Sequence, residues 1–401
     1  MTGKGRGFVR SRKGILALVL TIALLAGCGR AAPAPVQQTP APVSGSEAAP
    51  VRLQGLLTGS DGRYCCTPDQ QLCDAQTMTA RPFPFPEGSQ ETVRGEPVTD
   101  GQFWYYAIKI SEPEQEKFHI WRMGCDGKES EIILEADADQ WPLLQSLDAH
   151  LDPAARLVVF SREEAIYFFL NNSKDFSLRI FRCETGESCA QQVGQTKPMK
   201  DAVFCGERDG LPVFSTWDGE ELIYLQLDLD TGETSELFRR DAGEARCEAF
   251  FESVYYWQNS ETGELYAMDL VTGEQRLLWG QEDTDKPRAW LHGVLDGQVL
   301  LTRGGVREEL VSLDIASGAL TTIHLERPMD SEYAKPPYPI AMVQGSYLLE
   351  YGNVPGETRI FMNRDGELEQ YGSQRTVYAL ISPEDYRNGQ SNFKMFDPLA
   401  E

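Results

Sequence analysis

The same short hairpin recurs along this 401-residue chain, and that recurrence limits the available folds more than any other feature. Residues 222–233, 264–274 and 309–319 align almost without gaps. Each is an alternating strand, an Asp (Asp228, Asp269, Asp314), a Thr/Ser-Gly turn and a second strand such as residues 275–279. Period-two alternation marks a half-buried strand, and Gly232, Gly273 and Gly318 supply the positive φ that a tight hairpin needs. Looser copies lie at residues 179–187, 118–127 and 359–366, the last two sharing Met-x-x-Asp-Gly. The weakest copy, residues 71–79, has a turn without glycine. An aromatic strand precedes most copies: residues 103–106, 165–169, 253–257 and 346–350.

The turns fall near positions 78, 127, 186, 232, 273, 318 and 366, a spacing of 41 to 59 residues. One four-stranded blade needs that length. No long amphipathic helix separates the copies, and a β-sandwich has no use for one hairpin seven times. The chain therefore reads as all-β, a single β-propeller over residues 53–396 with a tail at 397–401. Seven blades fit the count best, with six or eight as alternatives. An open ring would leave two sheet edges free to pair with other chains. The spare strand at residues 376–381 is expected to close it by completing the first blade beside residues 62–80.

The pairing of a Tyr/Trp-rich strand with an Ile-x-x-Met-x-x-Asp-Gly or Leu-x-x-Asp-x-x-Thr-Gly hairpin resembles TolB-like and YWTD-like (lipoprotein-receptor type) propeller repeats. Repeats of this kind occur in surface lipoproteins of Gram-positive anaerobes. The resemblance covers roughly residues 53 to 390. It implies the fold and leaves the function open, because such propellers serve unrelated roles.

The first residues supply an address. Lys4, Arg6, Arg10, Arg12 and Lys13 form a basic stretch, followed by a short apolar run at residues 15–26. That run is well below the ~20 residues needed to span a bilayer, so residues 1–27 read as a signal peptide. Leu25, Ala26, Gly27 and Cys28 resemble the bacterial lipobox, in which cleavage precedes a cysteine whose thiol takes the lipid. Residues 28–52 then form a lipidated cysteine and a Pro/Ala-rich spacer too poor in core-forming residues to fold. The expected location is the cell membrane, lipid-anchored through Cys28 and facing the extracytoplasmic side.

The formal net charge is −24, and removing the five basic residues of the leader makes the remainder more acidic still. Such a surface repels nucleic acid and anionic polymers, so no nucleic-acid partner is expected. A monomer is expected, touching the membrane only through its lipid. Eight cysteines remain beside Cys28, an even number that permits disulfides in an exported protein. Cys183 and Cys189 flank one hairpin turn, but Cys183 fills the slot that Leu229, Leu270 and Ile315 occupy in other repeats and reads as core.

Catalytic signatures are missing. There is no Gly-x-Ser-x-Gly, His-Glu-x-x-His, Walker loop or Cys-x-x-Cys, and the four histidines are scattered. No catalytic, cofactor or metal-binding residues are assigned. Asp228, Asp269 and Asp314 read as acceptors of backbone hydrogen bonds at their own hairpins. Large aromatics outside the repeats are the candidates for partner binding: Trp141 in the acidic insert 137–153, Trp290 after the polar stretch 281–288, and Tyr333 and Tyr338 in the Pro-rich loop 327–339. Loops on a rigid scaffold are where function gathers. The leading expectation is a non-catalytic surface lipoprotein that binds a protein or glycan partner or scaffolds an envelope complex. The alternatives are an envelope carbohydrate-active enzyme (lyase or hydrolase) working at the axial funnel and an extracytoplasmic sensor domain.

Overall fold

A computed structural model describes residues 62–398, apart from 87–92, 112–115, 138, 147–154, 185, 242, 281–288, 304–308, 326–336, 338 and 363–367. Cys28, the leader and the spacer lie outside the described residues, as do Tyr333 and Tyr338. Seven sheets follow one another along the chain, making a seven-bladed β-propeller in which the one helix among the described residues is the five-residue Pro383–Arg387. Blades four, five and six are plain four-stranded meanders. Blade four, for example, runs Val203–Arg208, Leu211–Trp217, Glu221–Leu227 and Thr234–Asp241. The first strands of these three blades, Val203–Arg208, Ala245–Phe251 and Ala289–Leu295, contact one another. They therefore ring the axis.

The repeated turns of blades two to six join the third and fourth strands, whereas the weak copy at residues 71–79 joins the second and third strands of blade one. Asp228 Oδ1 accepts from the amides of Asp230 and Thr231, each at 2.9 Å. Asp269 does the same with Val271 and Thr272 at 2.8 Å, and Asp314 with the amide and hydroxyl of Ser317. These bonds hold all three carboxyls below the ordinary carboxylate range. The aromatic strands are second strands packed between blades. Tyr105 and Phe168 meet edge to face at 5.5 Å within the cluster shared by blades two and three. Cys183 lies in that cluster, 2% exposed, and both it and Cys189 are free thiols.

One seam carries a buried charge. Arg240 of blade four is 7% exposed and donates to Glu248 and Tyr255 of blade five and to Tyr224 of its own blade. The Tyr224 hydroxyl donates to Glu248 at 2.9 Å. An unpaired guanidinium there would be costly, and the acid and two phenols make the seam selective for this partner.

Ring closure differs from expectation. Residues 376–381 belong to Leu368–Ile381, the third strand of blade seven, which pairs with Ser346–Met362. They do not complete blade one. The element that does join it is Asp397–Pro398, within the expected tail, which pairs in parallel with Thr79–Pro82. Phe396 just before it is 3% exposed and packs with Cys65, Cys73, Leu348 and Tyr378, so blade seven also seals blade one face to face. The Tyr378 hydroxyl reaches across to Asp69 at 2.9 Å. The turn of the copy at residues 359–366 lies outside the described residues; the strands on either side of it are the second and third of blade seven, whose register continues to Met362↔Leu368. Beyond Tyr351 the pair forms a two-stranded ribbon on the order of 30 Å long.

Candidate functional site

Strand direction sorts the surface into two faces. Within each sheet neighbouring strands run antiparallel, so blade-to-blade connections and second-to-third turns emerge on one side of the ring. First-to-second and third-to-fourth turns emerge on the other. The second side is a turn face of tight connections, apart from the helical segment after Ile381. The first is a loop face. It carries the ribbon of blade seven and the second-to-third turn of blade three.

The insert is built into the axis. Gln140–Pro142 and Val159–Arg162 both pair with Ala165–Asn172, so together they act as the split first strand of blade three. Between them, Leu144–Ser146 pairs with Ala155–Leu157, and Arg156 pairs in parallel with Glu96 on the first strand of blade two. Leu144–Ser146 also contacts Val203–Arg208, the first strand of blade four. The excursion thus reaches from blade two to blade four on the axial side, rooted by buried Leu143, Leu157 and Val158. Residues 140–142 and 144–146 of the acidic insert are therefore strand.

Three described tryptophans are more than a third exposed, Trp141 (41%), Trp217 (39%) and Trp290 (42%), and all three lie at loop-face ends of strands. Trp141 pairs opposite Asn171 near the end of a second strand. Its ring packs on Phe118 at 5.0 Å, and Lys109 Nζ stands 5.9 Å from its centroid. Trp217 ends the second strand of blade four, with Lys200 Nζ 5.2 Å from the ring centroid. Trp290 sits opposite Thr302, one residue into the first strand of blade six. Phe176, 53% exposed in the second-to-third turn of blade three, lies on the same face.

Of the four aromatics singled out by sequence, the structure therefore places Trp141 and Trp290 on one face. Trp217 was missed, because its strand Leu211–Trp217 reads as an inter-blade core strand and only the last residue emerges. The Asp218-Gly219 turn immediately after it was the available signal. The ammonium groups of Lys109 and Lys200 stand over the faces of Trp141 and Trp217, pairing a cation with an exposed aromatic ring at each position, a combination suited to an acidic group or an aromatic side chain.

A cavity opens on the turn face between blades three and four, with a volume of ≈ 300 Å³. Arg162 and Arg182 line it with Tyr167, Glu163 and Asp230. Arg162 faces Asp230 at 3.6 Å and Arg182 faces Glu184 at 2.8 Å, so its cations are matched by acids. Among the described residues no group of three His, Cys, Asp or Glu side chains is placed to hold a metal ion. His292, exposed beside Trp290, shares a 2.8 Å hydrogen bond with Thr302.

No protein-family model matches the chain, and no curated protein does. Solved structures do. Oligogalacturonate lyase from Vibrio parahaemolyticus is similar over 64% of this chain and 76% of its own, at 11% identity and a TM-score of 0.41. TolB from Acinetobacter baumannii is similar over 85% and 77%, at 12% identity and a TM-score of 0.36. A chain of the nidogen/laminin complex is similar over 55% and 74%, at 13% identity and a TM-score of 0.30. At these identities and scores the neighbours bear on neither activity nor partner. They include the TolB and nidogen types that the repeats resemble, beside an enzyme.

Proposed function

We propose that this protein is a lipid-anchored, extracytoplasmic binding propeller that engages a protein or glycan partner of the cell envelope through its loop face. The observation that carries this reading is the segregation of the surface. Every exposed tryptophan among the described residues and the blade-seven ribbon lie on one side, while the other is nearly all tight turns. Tryptophan is the residue type most enriched at binding hot spots, and here the exposed ones all emerge at one end of a rigid ring. The anchoring half of the proposal rests on the basic leader, the short apolar run and the residues before Cys28.

Each half has its own test. Metabolic labelling with radioactive palmitate should tag the wild-type chain and fail to tag Cys28→Ala; a labelled variant would place the lipid elsewhere or remove it from the account. Trp217→Ala and Trp290→Ala together should abolish co-purification of envelope components with the tagged protein. Melting should hardly change, because substitutions at exposed positions shift stability by less than ~0.5 kcal/mol in most cases. Intact co-purification with a lowered melting temperature would show these residues to be packing elements.

A further inference from the structure

The register of blade one brings two cysteines face to face. Tyr64–Cys66 pairs antiparallel with Gln71–Asp74, with Cys65 directly opposite Cys73. The Thr67 amide donates to Gln71 O at 3.0 Å and the Ala75 amide to Arg63 O at 2.8 Å. Cys65 and Cys73 lie midway between these two bonded pairs, so they belong to the same hydrogen-bonded class, whose Cα atoms stand about 5.5 Å apart. That spacing falls inside the Cα range a disulfide requires, about 4.4–6.8 Å, while the Cβ atoms of such a pair, about 5.5 Å apart, must close by about 1 Å for the bond to form. Both are free thiols in this structure. Both side chains point to the blade-seven side, where they share one cluster with Leu348, Tyr378, Leu380 and Phe396. Cys66 points the other way, towards blade two.

We propose that Cys65 and Cys73 form a cross-strand disulfide in the exported protein, stapling blade one at the seam where the ring closes. The first three strands of blade one are only three and four residues long and so make few ladder bonds of their own. The oxidant is a disulfide, either of a protein thiol–disulfide oxidoreductase or of oxidised glutathione. One cysteine thiolate attacks it, the donor S–S bond breaks and a mixed disulfide forms. The second thiolate attacks the chain's sulfur in that intermediate and expels the donor as a thiolate. The chain loses two protons and two electrons, and the donor disulfide becomes two thiols. The exchange must precede closure. In the closed ring Cys65 and Cys73 are 2% and 0% exposed, and the neighbouring thiol together with burial keeps Cys73 protonated. Formation in cells depends on the export proposed above, whereas the pairing itself does not.

The full-length chain, unfolded in urea and refolded in detergent with reduced and oxidised glutathione, provides the test. Free thiols are alkylated and the protein is cut before aspartates, which separates residues 61–68 from 69–73. The two peptides should appear joined, two hydrogens lighter than their sum, with fragmentation placing the link on Cys65 and not Cys66. The link should survive dithiothreitol in the folded protein and disappear when urea is added. The oxidised form should melt about 3–4 °C above the form refolded in dithiothreitol. Two free thiols after oxidative refolding, or a link through Cys66, would overturn the proposal. A link present after refolding but absent from protein taken directly from cells would uphold the pairing and count against export.

Discussion

Glycine occupies the same place in the turns of blades four, five and six, yet the three positions are not equivalent. Gly232, Gly273 and Gly318 have φ of +74°, +73° and +70°. An alanine at any of them takes up a left-handed conformation that costs about 1 kcal/mol. A Cβ on Gly273 or Gly318 would meet nothing within 4 Å. On Gly232 it would stand 2.5 Å from the carbonyl oxygen of Gln195 and 3.1 Å from its carbon, in the outer strand of blade three. Those are backbone atoms, so the turn or the neighbouring blade must move. Overpacking of that kind adds a further 1–3 kcal/mol or so. Gly273→Ala should therefore destabilise by about 1 kcal/mol and Gly232→Ala by about 3. For a domain of this size that corresponds to melting shifts of about 1–2 °C and about 4 °C. Urea titrations of the two variants beside wild type give the same comparison at constant temperature, provided the slopes agree. Equal losses in the two variants would show that blade four's turn does not abut blade three as described.

Further outcomes follow from the closure and the turns. Phe396→Ala should cost about 3 kcal/mol by emptying the seam between blades one and seven, whereas Met395→Ala, whose side chain is 40% exposed, should be nearly neutral in the same melting assay. The Asp269 carboxyl, held down mainly by the Thr272 amide, stabilises the fold above its unfolded pKa near 4. That contribution is lost as pH falls through its lower folded value. The stability difference between wild type and Asp269→Asn should accordingly be constant near neutrality and shrink between about pH 4 and pH 2, and a difference independent of pH would refute the sign.

The ring itself was legible because it is written seven times. Each Asp-x-x-Thr-Gly turn flanked by alternating strands sets a local structure that needs no tertiary context, and the spacing of the copies fixes how many blades follow. The joints between copies were not legible in the same way. Asp397–Pro398 is two residues long and contains a proline, so it carries no period, and only its parallel pairing with Thr79–Pro82 makes it a strand. Residues 376–381 alternate like a spare strand because they are a strand, but one already claimed by its long partner Ser346–Met362. The insert misled for a related reason: Gln140–Pro142, Leu144–Ser146 and Ala155–Leu157 are three residues each. Runs that short cannot show alternation against an acidic background. The functional face was half legible. Trp141 and Trp290 stood outside the repeat pattern, whereas Trp217 stood inside it, and exposure at the last residue of a strand depends on where the blade ends. Cys65 and Cys73 were visible as residues, but their opposition depends on the register of a hairpin with turn residues 67–70, which is not one of the repeated turns.

The central claim, that one face of the ring meets a partner and the other does not, can be measured without knowing the partner. A photo-crosslinking phenylalanine derivative placed in turn at Trp217, Trp290 and Val271 would sample both faces in living cells. Val271 is 51% exposed in a third-to-fourth turn of blade five, on the turn face. Illumination should give discrete higher-mass adducts from positions 217 and 290 and none from 271. Adducts from position 271 alone would contradict the account, since they would put the binding surface on the side of the tight turns.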